Sequence, residues 1–163
     1  REFTFLRDSK ARIEVVVGDG RLSLEKELKA SGPRGFDVLG IDAFAGDSVP
    51  MHLITREAMA LYVRHLAPDG VIVFQATNRY VDLAPVIQRL AAEQGMQARL
   101  VSDWPDEQEG VGYWMSATDQ VLVTRDETLL AHPRILEASQ RIEERFDLPT
   151  FTDTRHNLLR ILK

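Results

Sequence analysis

The chain contains no cysteine, which excludes disulfides, thiolate metal sites and a cysteine nucleophile together. No apolar run approaches the roughly 20 residues of a membrane-spanning helix. The opening REFTFLRDSK lacks the layout of a signal peptide. No membrane contact is expected of this segment, and a cytoplasmic location fits it. Basic residues are not clustered: 20 Lys and Arg are spread along the chain against 25 Asp and Glu, for a net charge of −5. Nucleic-acid-binding domains show a basic patch or stripe, so no nucleic-acid partner is expected. The histidines, His52, His65, His132 and His156, have no partner at metal-ligand spacing, and no metal is expected. Ser48 and Ser116 stand outside any nucleophile-elbow context. Repeats and low-complexity segments are absent.

What is present is ordinary for a globular domain: 163 residues, 44% hydrophobic and 28% charged, enough for one domain with a core. A single α/β domain over residues 1–163 is expected. The first residue is Arg, so the chain reads as a piece of something longer. ARIEVVVGDG reads as a short buried strand over Ile13–Val17, ended by a Gly-Asp-Gly turn. A helix with Leu24 and Leu28 on one face follows and stops at SGPRG. FDVLGIDA has the pattern of a strand covered on both faces. The next helix is capped by Thr55, stapled by Ile54 and Met59, and turns Ala58, Leu61, Tyr62 and Leu66 inward. APDG ends it, and VIVFQATN is a third buried strand. Asp82 caps another helix, with Leu83, Val86, Ile87 and Leu90 inward and Gly95 as its stop. MQARLVSD and QVLVTRD read as two further strands, the last a candidate antiparallel partner, and the remainder as helical and charged. Alternating strands and helices predict an α/β layer with a mostly parallel sheet flanked by helices.

In open parallel sheets, ligands bind beyond the carboxyl ends of the strands. Three predicted strands end in a polar residue there: Asp19, Asp42 and Asn78. Such residues also cap turns routinely, but two acids on two strands point to a site. The loop WPDEQEGVGYWMSAT brings Trp104, Tyr113 and Trp114, which suit a pocket wall or a lid over the core.

VVVGDGRLSL, FDVLGIDAFAGDSVPMHLITREAMALY, LAPDGVIVFQATNRY and the terminal FTDTRHNLLRILK resemble the spermidine synthase family of polyamine aminopropyltransferases. The likeness is to its C-terminal portion. The resemblance implies the Rossmann-like class I methyltransferase fold and decarboxylated S-adenosylmethionine as co-substrate. It further implies aminopropyl transfer to a diamine such as putrescine. Matched to the family, Asp42 would be the base that activates the attacking amine, and Asp19 and Gly20 would contact the cofactor's adenine. Asp47 and Gln75 would hold the diamine. The chain departs from the family in two places. Four residues separate Asp42 from Asp47, where the family motif has two, and the Gly-rich cofactor turn is missing. In the family that turn lies upstream, in the N-terminal cofactor-binding part, with the first two strands. The strand ending at Asp19 would match the third family strand and that ending at Asp42 the fourth. The family places two strands between them, so either Ile13–Val17 pairs directly with Phe36–Ile41 or a partner chain supplies the pairing. This piece alone is expected to bind the co-substrate poorly. A homo-oligomer is left open.

The chemistry suits the residues. A diamine is a dication at neutral pH, so its attacking nitrogen must lose a proton, a general-base task for a rim carboxylate. A sulfonium also favours an acidic cleft. Two rival functions share the fold: a methyltransferase using S-adenosylmethionine on a small acceptor, and a non-catalytic module.

Overall fold

The computed structural model of the chain describes residues 4–43, 48, 50–103 and 116–163. A single helical turn, α1 (Phe5–Asp8), precedes α2 (Gly20–Ser31). Strand β1 (Phe36–Ile41) and a 3-10 turn (Met51–Leu53) lead into α3 (Arg56–His65). Then follow β2 (Leu66–Gln75), α4 (Ala84–Glu93), β3 (Gln97–Asp103) and β4 (Thr118–Thr124). Two short helices, α5 (Glu127–Leu130) and α6 (Pro133–Ala138), precede β5 (Ser139–Arg141) and a last 3-10 turn (Leu158–Ile161).

The strands form one sheet in the order β1-β2-β4-β3-β5. The ladder between β1 and β2 is parallel, and those of β2 with β4, β3 with β4, and β3 with β5 are antiparallel. The α/β class and the flanking helices are as expected. Strand direction is mixed: β1, β2 and β3 run one way, β4 and β5 the other. β4 is the antiparallel partner anticipated for the last strand, and it wedges between β2 and β3 because it can pair along both its edges. Ser139–Arg141, expected to be helical, instead lines up against Arg99–Val101 as a short polar edge.

The core lies on β2 and β4, under α3 and α4. Ile72, Phe74, Val121 and Val123 are at most 1% exposed, and burying each such side chain is worth about 1.5–3 kcal/mol. The helix signals in this half act as predicted. The Thr55 hydroxyl accepts from the Ala58 amide, and the stapling pair Ile54 and Met59 is buried. Leu66 leaves the helix to open β2, since its backbone is extended (ψ 150°). Gly95 takes the left-handed conformation (φ 65°) that ends α4; Asp82, expected as that helix's cap, stands one residue ahead of the actual N-cap, Leu83, and accepts from the Ala84 amide instead. β2 begins earlier than the sequence pattern implies, and its register against β1 shifts between Phe36 and Val38. Gly70 permits that shift: a Cβ there would lie 2.5 Å from the Phe36 carbonyl oxygen.

The leading segment corrects one expectation. Residues 12–18 form no strand and pair neither with β1 nor with any other described strand. Val15, Val16 and Val17 are 70%, 54% and 94% exposed. The run has strand composition, but a strand is stable only when its backbone groups find a ladder. Here a cavity separates the segment from β1. Consequently β1 is an edge strand, its outer side unpaired among the described residues, and Val38 is 63% exposed.

Candidate functional site

The cavity between the leading segment, α2 and β1 measures about 1020 Å³. Asp19, Gly20, Asp42, His52 and Tyr62 all line it. Its floor follows from chain order. β1 and β2 run parallel with Ile41 opposite Phe74, so Asp42 and Gln75 leave the sheet at the same rim, one step further on.

Asp42 is exposed at the mouth of β1, and no described residue donates a hydrogen bond to its carboxylate. Asp19 does not end a strand. It is the N-cap of α2: its Oδ1 accepts from the Leu22 amide at 2.9 Å, a task for which Asp is among the favoured residues. Its Oδ2 lies 2.9 Å from His52 Nε2. The Leu22 amide, and then His52, hold the Asp19 carboxyl below its ordinary range. Gly20 opens α2, and a Cβ there would meet nothing within 4 Å, so no close approach by this chain demands glycine. Gln75 is not part of the cavity lining. It ends β2, and its Oε1 accepts from the Thr77 amide and hydroxyl at 3.2 and 2.8 Å, so its side chain is spent on the segment that follows the strand. Asn78 is a turn former, accepting from the Tyr80 and Val81 amides. Asp47, Trp104, Tyr113 and Trp114 lie outside the described residues.

Sequence reasoning missed the polar cluster beside Asp19. The Arg21 guanidinium grips Asp153 with two bonds of 2.7 and 2.6 Å and donates to the His52 carbonyl at 2.6 Å. Thr55 adds its hydroxyl to Asp153 at 2.8 Å. Arg21 holds the Asp153 carboxyl below its usual range, with Thr55 assisting. Tyr62, buried under the 3-10 turn, donates to the Leu53 carbonyl at 3.2 Å, and burial pushes its phenol up. The signal in the sequence is His52, a polar residue in the segment between β1 and α3. Among the described residues no group of three or more His, Asp or Glu could hold a metal ion. No helix among them is long and apolar enough to cross a membrane.

The order of elements, the sheet and the rim geometry can be compared with solved structures. A probable spermidine synthase from Corynebacterium glutamicum superposes with a TM-score of 0.51 at 22% identity, over 87% of this chain and 53% of that one. The fold is spermidine-synthase-like. The chain spans about half the length of that neighbour, and identity at this level speaks for the fold alone. No family model matches the sequence, and no curated protein matches it.

The cavity can therefore offer one carboxylate without a described partner at a strand end, Asp42, and a second, Asp19, already engaged by a helix amide and an imidazole. Arg34, a further basic group of the lining, is paired with Glu27 at 2.8 Å. The lining carries both signs, with Glu14, Asp19, Glu27 and Asp42 beside Arg12, Arg21, Arg34 and His52.

Proposed function

We propose that the protein containing this chain transfers an aminopropyl group from decarboxylated S-adenosylmethionine to a diamine such as putrescine. The observation that carries this reading is Asp42: a carboxylate without a described partner, at the carboxyl end of a strand, lining a large cavity in a spermidine-synthase-like fold. Asp42 accepts the proton that the attacking amine must shed. The nitrogen lone pair then forms the new C–N bond as the C–S bond breaks, and sulfur keeps the bonding pair as a neutral thioether. Asp47 is assigned to the amine's second charge from the resemblance alone. The volume of about 1020 Å³ lies at the upper end of small-molecule sites, so size is no obstacle to a nucleoside co-substrate. The co-substrate supplies the electrophilic carbon, and the rim acids suit its positive charge. Adenine contact at Asp19 would share a carboxylate that already takes one donor on each oxygen, from the Leu22 amide and His52.

The test uses the full-length protein with putrescine and decarboxylated S-adenosylmethionine, then with S-adenosylmethionine. Spermidine should form only with the first. In Asp42→Asn, which keeps the side-chain size, turnover should fall by roughly two orders of magnitude or more with co-substrate affinity little changed. Native turnover in that variant removes Asp42 from the mechanism. Methyl transfer in its place would make the protein a methyltransferase, and no transfer at all would favour a non-catalytic module.

A further inference from the structure

Helix α2 supplies Gly20, Arg21, Ser23 and Leu24 to the cavity wall, yet none of its residues is fully buried. Leu24 is partly buried against the core, and no other side chain of α2 joins it there. A 12-residue helix with so little apolar contact is not held by hydrophobic packing. Polar anchors hold it instead. At its middle, the buried His65 donates from Nε2 to the Leu24 carbonyl at 3.0 Å, while its Nδ1 accepts from the Arg34 amide at 3.3 Å. At its first turn, Arg21 grips Asp153.

The two ends of the Arg21–Asp153 bond are not equally anchored. Asp153 belongs to a strap secured to the body: Phe151 is fully buried, and its carbonyl accepts from the Arg56 amide at 2.8 Å. The Asp153 amide in turn donates to Glu57 at 3.0 Å. Thr55, also fully buried, fixes the Asp153 carboxylate. Arg21 sits on the underpacked helix, its side chain only 11% exposed. A bidentate Arg–carboxylate pair has one preferred geometry, so the body dictates where the helix starts. Arg21 also holds the His52 carbonyl, and His52 in turn meets Asp19, the N-cap of the same helix.

We infer that Arg21 and Asp153 are positioning residues for the site: their clamp holds the start of α2, and with it Asp19 and His52, at the cavity that Asp42 lines. The kinetic part rests on the proposed aminopropyl transfer; the mechanical part does not. Neither residue contacts a reacting atom in this scheme. The clamp acts on how the co-substrate side of the cavity is shaped, not on proton removal.

The experiment compares full-length wild type with Asp153→Asn, which preserves shape and the Thr55 contact, and with Arg21→Lys, which keeps charge but loses the fork. Amide hydrogen exchange is followed by peptide in α2 and α3. In Asp153→Asn, exchange in 20–31 should accelerate roughly tenfold or more, with 56–65 unchanged. KM for decarboxylated S-adenosylmethionine should rise about tenfold while kcat stays within about threefold, the pattern of lost ground-state positioning. Arg21→Lys should fall between the two proteins in both readouts. Equal acceleration in both helices, or none in either, overturns the clamp. A loosened α2 with unchanged KM overturns its role in the site. Exchange needs no ligand, so if the wild type transfers nothing the reaction reading fails separately and exchange still decides the clamp.

Discussion

Helices α2 and α3 are 12 and 10 residues long, and both contribute to the wall of one cavity, yet opposite forces hold them. α3 buries Ala58, Met59, Leu61, Tyr62 and His65. α2 buries none of its residues and relies on hydrogen bonds from Arg21, Asp19 and the His65 ring. Apolar burial is non-directional and tolerates small shifts, whereas a forked ion pair or a two-sided imidazole contact specifies position closely. The candidate site is thus built from a rigid half, which delivers Asp42 at the end of β1, and a half located by directional bonds. Low-stability elements are where binding surfaces are commonly found.

The contrast breaks most readily from the α3 side. Met59→Ala should lower global stability by about 2–5 kcal/mol, measured by chemical denaturation, because a fully buried side chain leaves a cavity. A loss under about 1 kcal/mol would mean that α3 is not the packed partner described.

His65 joins the two helices. His65→Phe keeps an aromatic ring against Phe36, whose ring stacks on it at 5.9 Å, but deletes both hydrogen bonds. The Arg34 amide then loses its partner, and the Leu24 carbonyl keeps only its helical bond, which should cost about 1–3 kcal/mol. Accelerated exchange should appear first in α2. If the variant is as stable as wild type, ring packing alone does the work.

Thr55→Ala removes the α3 cap and one bond to Asp153 and should cost about 1–2 kcal/mol. Both helices should respond, α3 through its first turn and α2 through a looser clamp. A response confined to α3 would separate the two halves more sharply than the contacts imply.

Acid offers a gentler probe. The folded-state pKa of Asp153 is depressed, first by Arg21, and that of Asp19 is depressed by the Leu22 amide and His52. For depressed carboxyls the stabilisation is fully present above the unfolded pKa, near ~3.9 for Asp, and is lost as pH falls through the folded value. Exchange protection in α2 should therefore decline below about pH 4, ahead of that in β2 and β4. Simultaneous loss everywhere would assign acid unfolding to other groups.

The smallest effect is expected at Leu22→Ala. Leu22 is 54% exposed, so stability should change by no more than about 0.5 kcal/mol. A larger loss would reveal a partner for this face of α2.

Much of the rigid half was legible in sequence. Thr55, Ile54 and Met59 mark the start of α3, and Gly95 the end of α4, because caps, staples and left-handed stops act within a turn or two of chain. Asp42 was placed at a strand end for the same reason. The loosely held half was not legible. Ile13–Val17 has the composition of a buried strand, and composition carries no information on whether a ladder partner exists. Ser139–Arg141 has the opposite character, short and polar, and becomes a strand because β3 offers a free edge. Asp19, matched in the sequence to a ligand contact, serves as a helix cap, a role its position ahead of LSLE permits.

Residue order alone thus set where α3 begins, where α4 ends and where the apolar stretches of the inner strands lie, since φ/ψ preference, capping and apolar periodicity are local properties. Tertiary structure decided which strands found neighbours, that β4 runs against both of its own, and that Arg21 meets Asp153 from 132 residues away. Closing a loop of that length costs entropy that only the buried core can offset. Contacts of that kind exist because the core forms, and no short stretch of the chain announces them.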